Sequence, residues 1–292
     1  MKRAAIGLFV ALVGVLVSGV PSVYATVVIG DLTFDGAEAI LNGAIFREND
    51  IGPTGSGVLD PFVRIHRTGS DPEIEQGYNT SGRPLAFDEN SSPTFTHDLS
   101  LSTVPIFNIN GTLYREFVLD INQTGKKPLL SLDQVKIFLS NNGDFADPST
   151  DLSTLGTLIW DLDSDLVSPD TDRWVKMNYG LNSGSGSGDV RMFIPNSLFD
   201  DSYQYVYLYS KFGVQGGSYV NNDGFEEWAV RTGLSCEVTN TCDQPCEVTN
   251  TCPCEQTNTC PPPPVIPEPA SLLLMTTGLA SVGFRRLRRR RA

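Results

Sequence analysis

Leu113-Tyr114-Arg115-Glu116-Phe117-Val118-Leu119-Asp120-Ile121 carries the pattern on which the fold turns. Phe117, Leu119 and Ile121 alternate with other residues and share one side of an extended chain. The same period of two returns in Val135–Ser140, where Val135, Ile137 and Leu139 share a face, and in Asp189–Ile194, where Val190, Met192 and Ile194 do. Leu155–Trp160, Trp174–Tyr179 and Phe225–Val230 read as further strands. Gly, Pro, Asn and Asp punctuate the chain between these runs, and helical periodicity is nearly absent. Residues 26–234 are therefore expected to form a single all-β domain, a jelly-roll-like β-sandwich. That length is sufficient for one sizeable core. One short helical turn is expected around Ile194–Phe199, opened by Pro195.

The segments flanking this domain differ from it in composition. Six cysteines lie between Cys236 and Cys260, in three copies of one unit. These are Cys236-Glu-Val-Thr-Asn-Thr-Cys242, Cys246-Glu-Val-Thr-Asn-Thr-Cys252 and Cys254-Glu-Gln-Thr-Asn-Thr-Cys260. Pairing within each repeat is the simplest disulfide arrangement among the 15 that six cysteines allow. Zinc is the competing reading, disfavoured by the lack of a nearby histidine or a Cys-x-x-Cys pair. With almost no large apolar residues and with Pro261–Pro264 following, residues 235–266 read as a stapled stalk rather than a core.

Both ends read as targeting segments. Lys2 and Arg3, the apolar run Ile6–Val17 and Val23-Tyr24-Ala25 make residues 1–25 a signal peptide with cleavage expected after Ala25. At the other end stand Pro267-Glu268-Pro269, the 15-residue apolar run Ala270–Phe284 and six arginines between Arg285 and Arg291. The run falls short of the roughly 20 residues of a comfortable transmembrane helix. The arginines hold its end on the cytoplasmic side. The two prolines keep the preceding chain extended, within reach of a processing enzyme.

Pro-Glu-Pro, short hydrophobic helix and arginine tail, in that order, resemble the PEP-CTERM sorting segment, here residues 267–292. The resemblance implies export through Sec-type machinery and a precursor held in the inner membrane by this tail. It also implies processing at Pro267, Glu268 and Pro269 by an exosortase, and a mature form at the cell surface or outside the cell. The body resembles that of one group of PEP-CTERM proteins without an assigned activity. That likeness rests on Gly77-Tyr78-Asn79-Thr80-Ser81-Gly82, Phe117–Gln123, Leu130–Asp133, Gly184–Asp189 and Gly224–Trp228.

The formal net charge is −13. The two targeting ends hold eight of the 21 basic residues, leaving thirteen against 34 acidic ones. So acidic a body disfavours nucleic acid and anionic membrane surfaces as partners, and no nucleic-acid partner is expected. Three constellations could carry chemistry. Tyr203, Tyr205, Tyr207 and Tyr209 alternate, and an exposed stripe of this kind stacks on sugar rings, making extracellular polysaccharide a candidate partner. The competing reading buries that face. Asp161, Asp163 and Asp165 resemble the opening of a calcium loop, with Asp170 and Asp172 able to fold back. Leu166 stands where such a loop needs glycine, and Asp172 where it needs glutamate. Asn221-Asn222-Asp223-Gly224 with Glu226 and Glu227 is a second acidic loop, and Asn141-Asn142-Gly143-Asp144 a third. Calcium is the candidate ion of the β domain, and no cofactor is otherwise expected.

No enzymatic pattern stands out. There is no Gly-x-Ser-x-Gly elbow, and His66 and His97 are the only histidines. Glu226 and Glu227 are adjacent on a strand and point to opposite faces, which suits them poorly to paired-acid chemistry. We expect a non-enzymatic protein of structural or adhesive type. A calcium-assisted carbohydrate-binding module is the alternative, and a polysaccharide-active enzyme the third reading.

Overall fold

The computed structural model describes residues 26–48, 58–67, 73–143, 149–164, 171–184, 188–222, 224–232 and 237–238. All belong to the first of the chain's two units, Met1–Thr241. The signal peptide, the six cysteines, Pro267-Glu268-Pro269 and the apolar tail lie outside the described residues.

The strands in chain order are β1 (Val27–Leu32), β2 (Glu38–Leu41), β3 (Ala44–Glu48), β4 (Leu59–Ile65), β5 (Glu75–Tyr78), β6 (Leu99–Ser100), β7 (Ile106–Ile109) and β8 (Thr112–Asp120). They continue with β9 (Leu129–Ser140), β10 (Thr157–Asp161), β11 (Asp172–Asn178), β12 (Val190–Pro195), β13 (Tyr205–Phe212), β14 (Glu226–Arg231) and β15 (Glu237–Val238). Among the described residues the helical elements are single 3-10 turns: Leu101–Thr103, Leu152–Leu155 and Asn196–Leu198. The last follows Pro195, where the sequence places a turn.

Two sheets result. The first runs β1-β11-β9-β13-β5, with β10 also on β9 and β6 also on β13. The second runs β15-β7-β8-β12-β3-β2, with β14 bridging β8 and β4. Pairing is antiparallel except for β1 with β11 and β15 with β7. The strand that ends this domain, β15, lies inside the stretch read from sequence as stalk.

The main core joins both sheets. Leu132, Ile137, Leu139, Val206, Leu208, Phe212, Val175 and Met177 come from the first, and Phe46, Phe117, Leu119, Met192, Ile194, Trp228 and Val230 from the second. The alternation in Leu113–Ile121 and Asp189–Ile194 thus puts the expected residues inside. In β9 the phase changes. Leu130 and Leu132 point inward, then Val135, Ile137 and Leu139 do, because the β13 register slips between Lys211 and Phe212. The extra residue of this bulge leaves Asp133 buried, where its carboxylate accepts bonds from Ser131 Oγ (2.8 Å), Val214 N (2.8 Å) and Gln215 Nε2 (2.9 Å).

Candidate functional site

The tyrosine stripe is where sequence and structure part. Tyr205, Tyr207 and Tyr209 do share the outer face of β13, opposite Val206 and Leu208. That face is covered. Tyr207 and Tyr209 are buried in a second cluster with Tyr78, Phe138 and Leu155, closed over by Ala86, Phe87 and Leu152. Phe87 packs between Tyr78 and Tyr209, with centroid distances of 6.1 and 6.0 Å. The Tyr207 hydroxyl lies 3.1 Å from both Asp98 Oδ1 and the Asn142 carbonyl, and the Tyr209 hydroxyl donates to Gln76 Oε1 at 2.6 Å. Tyr203 precedes the strand and packs against the main core. The four residues are therefore not one exposed platform: loops from 79–98 and 149–155 bury the middle of the stripe. Tyr207→Phe, which removes only a bonded hydroxyl, should lower the unfolding free energy by about 1 kcal/mol in chemical denaturation. An exposed stacking residue would show no change.

Tyr203 and Tyr205 instead line a shallow depression of about 430 Å³ with Ser100, Ser102, Gln204 and Asp201. Arg115 bonds Asp201 there at 2.6 Å.

The aspartate ladder after Trp160 is engaged by protein donors. Lys136 Nζ pairs with Asp161, and Asp163 Oδ1 accepts from Arg173 N at 2.8 Å. Asp163 N donates to Asp161 Oδ1 at 3.1 Å, the short-range bond of a turn. Asp165 and Asp170 lie outside the described residues. Lys136 and the Arg173 backbone amide thus engage the Asp161 and Asp163 carboxylates.

The loop Asn221–Glu226, noted in the sequence, meets partners the sequence did not single out. Glu226 opens β14 and faces the sandwich interior, while Glu227 points outward to Arg64 Nε at 2.6 Å. Glu75 opens β5 opposite Phe212 and also faces inward. Between them runs a chain of bonds. Asn221 Nδ2 donates to Glu75 Oε2 (2.8 Å), and Gln123 Nε2 reaches Asn221 Oδ1 (3.2 Å) and Glu226 Oε1 (3.3 Å). All four side chains are buried. The loop reaches this position because Gly213 adopts φ +83°, and a Cβ there would fall 1.9 Å from the Glu73 carbonyl. That same carbonyl accepts Asn221 N at 3.1 Å. Burial pushes the Glu75 carboxyl up to about 8. A charged residue at an inward strand register, such as Glu75 beside Gly77, is the signal that would have found this group.

A second buried acid, Asp189, accepts Ile121 N at 2.8 Å. Burial first, then the neighbouring Asp120 and Glu48 carboxylates, hold it well above the usual aspartate range. Burial also raises Asp163 to about 6. These groups keep protons in the folded state that the unfolded chain releases near pH 4. The folded state therefore binds more protons, and stability falls as pH rises from about 4 towards 8. With a chelator present, thermal melts between pH 5 and 8 should show a falling Tm, with a slope of up to about 1.4 kcal/mol per pH unit for each retained proton. A Tm that rises over this window would contradict the assignment.

Among the described residues no group of three or more His, Cys, Asp or Glu side chains is arranged to hold a metal ion. No helix among them is long and apolar enough to cross a membrane.

A two-sheet sandwich followed by a Cys- and Pro-rich segment defines a protein whose destination is written outside its folded domain. Residues 265–290 match the PEP-CTERM protein-sorting motif, so the chain carries that sorting signal. The motif marks an exported protein with a C-terminal membrane-anchoring signal, sorted by an exosortase and processed to reach the surface. No curated protein and no solved structure matches the chain.

Proposed function

We propose that the mature protein is a non-catalytic structural or adhesive component of the cell surface or extracellular matrix. The observation that supports this reading is the closure of the sandwich. The tyrosine face is covered by loops, Glu226 is buried, and Glu227 is bound to Arg64. A glycosidase needs two carboxyl groups flanking an open groove, and neither glutamate of the Glu226–Glu227 pair lines one. The acidic body suits a hydrated, polysaccharide-rich surrounding in which like charges keep it soluble.

Fractionation tests the proposal. The mature protein should remain with the extracellular polymer through high-salt washing, and replacing Pro267, Glu268 and Pro269 by alanine should retain it in the membrane fraction. Mature protein released freely into the medium would overturn the matrix reading. The depression beside Tyr203 and Tyr205 favours a second reading, a carbohydrate-binding module. Co-sedimentation with extracellular polysaccharide that is lost in a Tyr203→Ala/Tyr205→Ala variant would establish it.

A further inference from the structure

The depression beside Tyr203 and Tyr205 is built around one buried guanidinium. Its walls are β6 with the turn that follows, and the start of β13 with the residues before it. Tyr205 stands opposite Ser100 in the β6–β13 pairing, and Leu101 N donates to the Gln204 carbonyl at 2.9 Å, so the two walls are held in register. Arg115 reaches the site from β8 of the other sheet and is only 4% exposed. Its Nη1 donates to the carbonyls of Leu101 (3.0 Å) and Val104 (3.3 Å), and its Nη2 to Asp201 Oδ1 (2.6 Å). The Asp201 side chain is nevertheless 79% exposed, so the carboxylate that Arg115 orients stays open to solvent. Tyr205 is half-buried and its ring lies against Gly143, where a Cβ would fall 2.7 Å from Tyr205 Cζ. Gln204 is exposed on the rim.

We propose that this depression binds an uncharged sugar unit of a polysaccharide, with the Tyr205 ring as stacking surface, Asp201 and Gln204 as partners for its hydroxyls, and Gly143 and Arg115 as positioning residues. The inference rests on the carbohydrate-binding reading given above and narrows it to one class of sugar. The volume of about 430 Å³ lies in the range of small-ligand sites, roughly 300–1,000 Å³. Tyrosine offers flat apolar area to the C–H face of a pyranose. A carboxylate and a primary amide together supply the acceptors and donors that neighbouring hydroxyls need, and bonds to an ionised oxygen are the stronger kind. Charge decides the class. Arg115 and Asp201 offset one another, and among the described residues no Lys, Arg, His, Glu or second Asp lines the depression. A uronate or sulfated sugar would meet the Asp201 carboxylate with no exposed cation to receive it, because Arg115 is buried and engaged. A cationic amino sugar would find Asp201 already matched. An uncharged sugar meets neither penalty.

The test is affinity electrophoresis of the exported protein in uncharged polymers (dextran, hydroxyethylcellulose and galactomannan), in acidic polygalacturonate and in cationic chitosan. Gln204→Trp fills the depression from an exposed position without disturbing the interior. Only binding lost in that variant is counted, since an acidic protein also adheres to chitosan through its overall charge. At least one uncharged polymer should bind about tenfold or more tightly than either charged one at about 0.15 M salt. Tyr205→Ala should weaken that binding at least about fivefold, and Gly143→Ala should weaken it less, by pushing the ring aside. Asp201→Asn leaves Arg115 uncompensated, so it should weaken the uncharged polymer and admit polygalacturonate. A purely structural Asp201 would weaken every polymer alike. Preference for a charged polymer, lost in Gln204→Trp, would overturn the sugar class and keep the carbohydrate reading. Binding of an uncharged polymer that survives Gln204→Trp would place the site elsewhere and overturn the proposal. No binding of any polymer would sink the carbohydrate reading and this inference with it.

Discussion

Glu116→Gln is expected to cost the domain about 3–5 kcal/mol, read as a fall in denaturant midpoint at unchanged m-value. Glu116 lies on the outward side of β8 yet is fully buried. Its Oε1 accepts Arg191 Nε at 2.6 Å and Arg231 Nη2 at 3.1 Å, and its Oε2 accepts Arg231 Nε at 2.6 Å. The two arginines come from β12 and β14, the strands on either side of β8, so one carboxylate ties three strands together. The guanidinium groups lie against aromatic rings. Arg231 sits 4.7 Å from the Phe107 centroid, and Arg191 sits 4.9 Å from that of Phe193. Low exposure removes the solvent that would screen two neighbouring cations once their shared anion is neutralised. The Arg47–Glu38 pair provides the contrast. It is just as short, at 2.5 Å, but its side chains are 31% and 43% exposed. Glu38→Gln should cost less than about 1 kcal/mol. Equal costs at the two sites would show that burial does not set the strength of the Glu116 network.

Trp228→Ala should be of similar size, about 3–5 kcal/mol. Trp228 is fully buried between the sheets, and its Nε1–H donates to the buried Ser210 Oγ at 3.0 Å. Ser210 belongs to β13 of the first sheet and Trp228 to β14 of the second, so the bond and the ring both span the sandwich. Truncation leaves a cavity the size of an indole and strips the serine of its donor. In a domain of this length the loss corresponds to roughly 10 °C in Tm. It approaches the whole stability of many natural domains. Trp228→Phe, which keeps most of the volume, should recover more than half of it. A loss below about 1 kcal/mol for the alanine variant would mean that the interior collapses around the gap.

Much of the architecture is legible along the chain because the period of two is a local property. Phe117, Leu119 and Ile121 face the core simply because an extended backbone alternates its side chains, and the same reasoning sends Glu226 and Glu227 to opposite faces. Two features broke that logic. The bulge at Asp133 changes the phase of β9 halfway, which no local pattern announces. The parallel pairing of β1 with β11 joins residues far apart in sequence, so neither strand signals the other.

The candidate sites were less legible. Alternation correctly places Tyr205, Tyr207 and Tyr209 together but is silent on what lies above them. Phe87 and Leu152 cover them from two separate loops. Asp161 and Asp163 alternate after Trp160 as at the opening of a cation loop, and only the fold shows that Lys136 pairs with Asp161 from the neighbouring strand. Conversely, Glu75 and Glu226 are 151 positions apart in the chain and meet only through Asn221 and Gln123.

The sequence by itself determined that the protein is all-β, which residues face inward in β8, in β12 and in the second half of β9, and that it carries a PEP-CTERM sorting signal, because strand alternation and sorting motifs are read from neighbouring residues. Only the tertiary structure decided which faces are covered and which charges are matched. It buries Tyr207 and Tyr209, pairs Asp161 with Lys136 and links two buried glutamates through Asn221 and Gln123, because burial and charge pairing depend on residues brought together from distant parts of the chain.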